Sequence, residues 1–438
     1  MAELWQGKPI HIIGLGVGSQ AGPQLNDRAV NVISEAQWVI GAEHQLSKIE
    51  HLATQAKKLN YPSPFTSLKD WLIHHQSETI VLLGSGDPLF YGLGAWLTKT
   101  LGADNLVFHT NVSSFQAACA QIGLPHQDVE TISLHGRPLE SIRSRLRLNQ
   151  FFTILTDQYS HPAAIENELI SAGFDQSKLW VCQDLGGENQ AIHSFEVNDP
   201  ALMNFEFHPL HVTIIQCLSS NPNQLTPEFP GLPDDAFETG KAPGKGLITK
   251  REVRLAALSY LSPKSGEIAW DIGTGCGSVA IEWARWNRTG HVFAIEHHPE
   301  RLKYCRLNQQ KFGVISNMKV VEGYAPDACH NLPDPDAVFI GGSGGRLIDI
   351  LELSFQRLKE HGRVVITAVT ESTKSELYQA LENIPDNAEV EWSQVSVSKG
   401  DEIAGQLLLR PQLPVLIAQI RKLATSTSAQ SIAGVKDS

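Results

Sequence analysis

Apolar and amphipathic runs alternate along the chain in two separate blocks. In the first, short apolar runs at 9–13, 79–83 and 151–156 each enter a turn and read as buried strands, and a helical pattern covers 162–173. The rhythm then changes. Residues 178–184, 190–197 and 211–218 read as strands with little helical sequence between them, so an α/β half followed by a strand-rich half predicts a two-lobed domain over 1–218. Residues 219–245 hold Pro222, Pro227, Pro230, Pro233 and Pro243 among Ser, Asn, Gly and Asp, the composition of a linker.

The second block, 246–411, opens on a helix with Thr249 as predicted N-cap and Glu252 three residues on, the capping-box spacing. Strands follow at 267–272 and 291–296, a helix at 299–312, and further strands before 323, at 337–340 and at 363–369. The runs 390–397 and 403–409 alternate with no helix between them and predict an antiparallel hairpin at the sheet edge. From 412 to 438 the sequence ends in Ser, Thr, Ala and Gly and reads as a flexible tail.

A length of 438 residues suits two cores better than one. The net charge of -12 argues against a nucleic-acid partner, which usually demands a basic patch. No apolar run is long enough for a membrane span, and the first residues lack a signal-peptide layout. Six cysteines are scattered without a C-x-x-C pair, so neither a disulfide framework nor a protein-bound metal is expected, and a cytoplasmic setting is.

The densest chemistry lies at Asp271-Ile272-Gly273-Thr274-Gly275-Cys276-Gly277, where a buried strand turns sharply into a helix. The spacing is not that of a dinucleotide fingerprint, because the sixth position from Gly273 is Ser278. The neighbouring strand ends in Glu296, which suits a pair of ribose hydroxyls. The combination resembles the S-adenosylmethionine site of class I methyltransferases, a Rossmann-like fold. Thr249, Asp271, Gly273 to Gly277 including Thr274, Gly275 and Cys276, Glu296, and Gly323 and Ala325 are then the candidate cofactor-binding residues of this block.

The first block carries Gly14-Leu15-Gly16-Val17-Gly18 after one strand and Gly84-Ser85-Gly86-Asp87-Pro88-Leu89-Phe90-Tyr91-Gly92 after another. With Ser133-Leu134-His135-Gly136-Arg137 these resemble the tetrapyrrole methylases, a two-lobed class III methyltransferase fold, in the branch acting at C5 of a corrin precursor. The resemblance implies a donor pocket lined by Gly14, Gly86, Asp87, Phe90, Val112, Ser113 and Ser114, with Gly16 at the donor and leaving room for the macrocycle. His135 and Arg137 are candidates for a substrate carboxylate and for a catalytic role.

The second block resembles the decarboxylating methyltransferases that act at C15 and remove carbon dioxide from the C12 acetate. Thr249-Lys250-Arg251-Glu252-Val253-Arg254 and the loop Gly341-Gly342-Ser343-Gly344-Gly345 carry that resemblance alongside the glycine turn. Gly341, Gly342, Ser343, Gly344 and Arg346 are the candidate substrate residues, with Ser343 also a catalytic candidate. The order of the halves is that of a fused bifunctional enzyme of cobalamin biosynthesis. It implies one S-adenosylmethionine per domain, a small-molecule corrin precursor as partner and a homo-oligomer. An RNA methyltransferase built on the second half and a non-catalytic tetrapyrrole-binding module remain the alternatives.

Overall fold

The computed structural model describes residues 5–17, 25–134, 137–155, 161–242 and 245–424. The chain divides into two compact units, Met1–Leu139 with Leu146–Gln224, and Glu140–Arg145 with Leu225–Ser438. No helix among the described residues is long and apolar enough to cross a membrane.

The first unit contains two sheets. Strands β1 (Ile10–Leu15), β2 (Trp38–Gly41), β3 (Lys57–Asn60), β4 (Ile80–Ser85) and β5 (Leu106–His109) form a parallel sheet in the order β3-β2-β4-β1-β5. Ile10, Ile12 and Ile13 are fully buried, as expected of a central parallel strand covered on both faces. The register sets Gly14 beside Gly84 and Leu15 beside Ser85, so both glycine loops leave the same sheet edge. Strands β6 (Val129–Ser133), β7 (Phe151–Leu155), β8 (Lys178–Gln183), β9 (Ala191–Glu196) and β10 (His211–Gln216) make the second sheet, ordered β6-β7-β10-β8-β9. Only its β6–β7 pair is parallel. The strand-rich second half predicted from the sequence is this sheet.

The second unit is built on seven strands. In chain order they are β11 (Ile268–Ile272), β12 (His291–Glu296), β13 (Met318–Glu322), β14 (Ala337–Ile340), β15 (Arg363–Ala368) and β16 (Ala388–Val395), then, after a separate hairpin of β17 (Ser398–Ile403) and β18 (Gln406–Pro411), β19 (Val415–Lys422). The order is β13-β12-β11-β14-β15-β19-β16, parallel as far as β15 and antiparallel beyond it. Reversal of strand order at β11 and β14 opens a crevice at their carboxyl ends, where ligands of such sheets bind.

Four expectations are corrected here. The flexible tail expected from 412 contains β19, which lies between β15 and β16 with Ile417, Ala418 and Ile420 fully buried. Residues 390–397 do not pair with 403–409: β16 pairs with β19, and β17 turns into β18 through Ala404 and Gly405, both at positive φ. The second part of the expected 219–245 linker belongs to the second unit, with Leu232 and Phe237 buried in its core. Thr249 is not a cap. The helix Arg251–Leu261 starts at Lys250 with no side-chain cap, and the Thr249 carbonyl accepts from Arg254 Nη1 at 2.5 Å.

A buried ion pair explains why the proline-rich stretch folds. Arg254 is wholly buried; its Nε donates to Glu282 Oε1 at 2.5 Å, and its Nη1 to Asp234 Oδ1 at 3.2 Å. The Arg254 Nη2 donates to the Leu232 carbonyl, while Glu282 accepts the amides of Gly231 and Leu232. A segment that cannot form a helix thus has its backbone satisfied by two side chains. Arg254→Met leaves Glu282 buried without its cation and is expected to destabilise the second unit by about 3–5 kcal/mol. Lys178→Met, which removes the exposed pair to Glu196, should cost below about 1 kcal/mol. Denaturant titration of both variants checks the contrast.

Candidate functional site

In the second unit, β11 ends in a turn held from beneath by Asp271. Its Oδ2 accepts from Thr274 Oγ1 at 2.7 Å and from the Ala280 amide at 2.9 Å. Its Oδ1 is buried without a partner among the described residues, and burial pushes the carboxyl up to about 7, against the lowering effect of those two bonds. Gly273 has φ +72, and a Cβ there would stand 2.4 Å from the Gly342 carbonyl, so only glycine lets this turn approach the loop after β14. Gly277 caps the helix Ser278–Trp286, and its amide closes onto the Thr274 carbonyl at 2.9 Å.

Glu296 stands at the tip of β12, buried. Its Oε2 accepts the Gly275 amide at 3.0 Å, and Oε1 accepts the amides of His297 and His298, each at 2.9 Å. The carboxylate is therefore aimed at the glycine turn and held there by three backbone amides. Gly323 donates to the Glu296 carbonyl at 3.0 Å, and the adjacent Tyr324 ring stacks on His297 with centroids 4.3 Å apart. The Cys276 thiol is buried and pushed up to about 11 by desolvation, which makes it a neutral packing group and not a nucleophile.

A cavity of about 500 Å³ opens above the turn, with Thr249, Gly273, Thr274, Gly275, Gly341 and Gly342 in its wall. Asp271, Glu296, Gly323 and Ala325 are not in that wall. Asp271 acts by shaping the turn, and Ala325 packs against the apolar core. Val395, Val397, Leu413 and Val415 form an apolar side of the cavity that sequence reading missed. The signal for Val415 was present in an apolar run that belongs to β19 and not to a tail.

Ser343 and Gly344 line a second cavity of about 390 Å³, on the other side of Gly341 and Gly342, with Thr370, Ser372 and Glu376. Arg346, expected to meet a propionate, is instead paired to Asp327 at 2.9 Å and Asp349 at 3.4 Å. Those bonds hold it at the start of the helix Leu347–Arg357.

The first unit has its own cavity of about 450 Å³, which Gly16, Gly86, Phe90, Ser113 and Ser114 line. Gly86 has φ +61, and a Cβ there would meet the Ser113 Cα at 2.7 Å. A Cβ at Gly14 would stand 1.9 Å from the Gly86 carbonyl, so the loops after β1 and β4 and the start of the helix Ser114–Ile122 touch through backbone. Ser113 caps that helix through Gln116, and Phe90 stacks on Phe115 with centroids 4.1 Å apart.

Asp87 turns inward on its own loop, accepting the Leu89 amide at 2.9 Å, and neither it nor Val112 borders the cavity. Arg137 is exposed and also outside the cavity wall, whereas His135 lies outside the described residues. His44, Lys48, Asp184 and His211 line the cavity and were missed, because single polar residues on a short helix and a strand end carry no spacing signal. Burial holds the His211 imidazole below its ordinary range, and its Nδ1 lies 2.8 Å from the His208 carbonyl.

Comparison with known proteins agrees with this two-part architecture. Residues 9–200 match the family described as tetrapyrrole (corrin/porphyrin) methylases, and residues 241–422 match the precorrin methyltransferase domain. A Sinorhizobium precorrin-6Y C(5,15)-methyltransferase [decarboxylating] is 34% identical over 92% of this chain and 94% of its own length. The protein of the same name from Mycobacterium tuberculosis is 29% identical over 92% of this chain and 98% of its own. A solved precorrin-6Y C5,15-methyltransferase structure from Geobacter metallireducens is 39% identical, covering 45% of this chain and 100% of that one, with a TM-score of 0.41. With both blocks matched in order and a relative aligned over nearly its whole length, the chain belongs to the decarboxylating precorrin-6Y C(5,15)-methyltransferase family.

Proposed function

We propose that this chain is a bifunctional methyltransferase of cobalamin biosynthesis. Its first unit methylates a precorrin-6Y-type macrocycle at C5, and its second methylates C15 and removes the carboxyl group of the C12 acetate. The observation that carries the reading is two unlike glycine-walled cavities in one chain, one in each unit. Each takes one S-adenosylmethionine, and the protein contributes no metal. A cytoplasmic homo-oligomer acting on a small molecule completes the proposal.

The residues of the second unit fit such a donor. Gly273 lets the turn come against Gly342 where any Cβ would clash, Glu296 offers a carboxylate beside Gly275, and Asp271 fixes the turn from beneath through Thr274 and Ala280. When bound, S-adenosylmethionine supplies an electrophilic methyl carbon on a sulfonium. The nucleophile is a carbon of an electron-rich macrocycle, so the protein must orient the partners and exclude water more than supply a strong base. Val395, Val397 and Leu413 give the cavity an apolar wall that suits this. Loss of carbon dioxide from the acetate leaves its bonding electrons with the macrocycle, where conjugation makes C15 more nucleophilic. Once C15 has taken the methyl group and lost its own proton, the electron pair takes up a proton at the acetate-derived carbon to give the new methyl group.

Incubation of the protein with precorrin-6Y and S-adenosylmethionine should yield a product with two added methyl groups and one carbon dioxide lost, read by mass spectrometry. Asp271→Ala, which unties the second glycine turn, should add one methyl group only and retain the carboxyl. Gly86→Val should abolish C5 methylation, because its side chain would strike Ser113, and leave the second unit's donor binding unchanged. No mass change with either the metal-free or the cobalt-containing substrate would leave a binding module as the better reading.

Asp271 also gives a pH signature. Its carboxyl is raised from 3.8 to about 7 in the fold, so the folded state holds the proton more tightly than the unfolded chain. Its contribution is therefore greatest below 3.8 and is lost as pH rises to about 7. Asp271→Asn lacks this titration. The difference in unfolding free energy should move against the wild type between those pH values and level off above them, as checked by urea titration without donor.

A further inference from the structure

The cavity of the second unit carries cations that the methyl-transfer reading leaves unused. Lys250, preceding the helix Arg251–Leu261, and Lys399, in β17, both line it together with Gly273, Gly275 and Gly342. The two ammonium groups come from segments about 150 residues apart, yet each lies 3.9 Å from the same atom, Asp234 Oδ2. Lys399 also stands 3.4 Å from Glu252 Oε2. Such separations exceed those of a tight charge-assisted hydrogen bond, about 2.7–2.9 Å.

Among the described residues Lys399 donates no hydrogen bond, although an ammonium has three N–H groups to give. The acid between the lysines is fixed. The side chain of Asp234 is only 11% exposed and is bonded to the wholly buried Arg254, whereas the side chains of Lys250 and Lys399 are 37% and 43% exposed. Asp234 thus holds both cations at the cavity, and among the described residues the Lys399 ammonium keeps its N–H groups unbonded. In a chain of net charge -12, positive charge at a cavity has to be concentrated locally in this way.

We propose that Lys399 and Lys250 form a carboxylate-binding subsite of this cavity, with Asp234 as the residue that positions them. The inference rests on the methyltransferase reading for the identity of its ligand. Two ligands of that reaction bear the required group: the macrocycle through its side-chain carboxylates, and the donor through its methionyl carboxylate.

The test uses the full-length protein with Lys399→Met, Lys250→Met and Lys399→Arg. Donor affinity is measured by calorimetry with S-adenosylhomocysteine, and macrocycle turnover is followed by counting methyl groups added, with C5 methylation as the internal control for folding. Loss of one charge-assisted contact should cost about tenfold or more. A rise of that size in the KM for C15 methylation, with donor affinity unchanged and recovery in Lys399→Arg, assigns the subsite to the macrocycle. The same loss in S-adenosylhomocysteine affinity, with the macrocycle KM unchanged, assigns it to the donor. Unchanged values for both in both Met variants overturn the proposal. A wild type that adds no methyl group to the macrocycle fails the functional reading instead, and the calorimetric arm then decides the subsite on its own.

Discussion

Asp271 lies at the end of the central strand with its side chain wholly inside the protein, and one of its oxygens accepts bonds from residues three and nine positions further on. Those two bonds tie the end of β11 to the start of the next helix and so fix the path of the glycines between them. From that path follow the approach of Gly273 to Gly342, the meeting of Gly275 with Glu296, and the floor of the cavity. The carboxyl's desolvation opposes folding and the bonds only partly offset it, which is why its proton is held so tightly. A residue can therefore be indispensable to a ligand site without standing in its wall.

Where local chemistry dictates structure, the sequence was readable. The glycine turn after Asp271 and the acid-tipped strand β12 both depend on residues close together in the chain. What escaped depends on distant partners. The stretch 231–237 looked like a linker because it lies in a run rich in proline with no periodic apolar pattern, and nothing nearby shows that Arg254 and Glu282 will satisfy the backbone at Gly231 and Leu232. Strand β19 reads as an apolar run followed by a polar end, and only its insertion between β15 and β16 explains that it is buried on both faces. Thr249 matched a capping box by spacing, but Arg254 claims its carbonyl and the helix starts one residue later.

The two cavities also show why glycine loops alone do not define a site. In the first unit, Gly14, Gly86 and Ser113 approach one another through backbone, and the acid of that loop, Asp87, is consumed by a turn of its own. In the second, one acid lies beneath the turn and another at the neighbouring strand tip, both buried. A sequence reader sees glycines and an aspartate in each case. The distinction lies in burial and reach: Asp87 is bonded within its own loop, whereas Asp271 lies wholly buried beneath its turn and Glu296 reaches across to the Gly275 amide.

The same reasoning separates the cations. Arg346 stands beside the glycine loop and invites a role in binding, but a 2.9 Å bond to Asp327 and a second carboxylate at 3.4 Å use its donors to fix the start of a helix. Recruiting it for a ligand would require breaking those contacts, so part of any gain would be cancelled. Lys399 has nearby acids at 3.4 and 3.9 Å and, among the described residues, no side-chain hydrogen bond to surrender. Long separations normally count as weak pairing and little stability. At a cavity wall they have another consequence: the charge is held in place while its strongest contacts are still to be made.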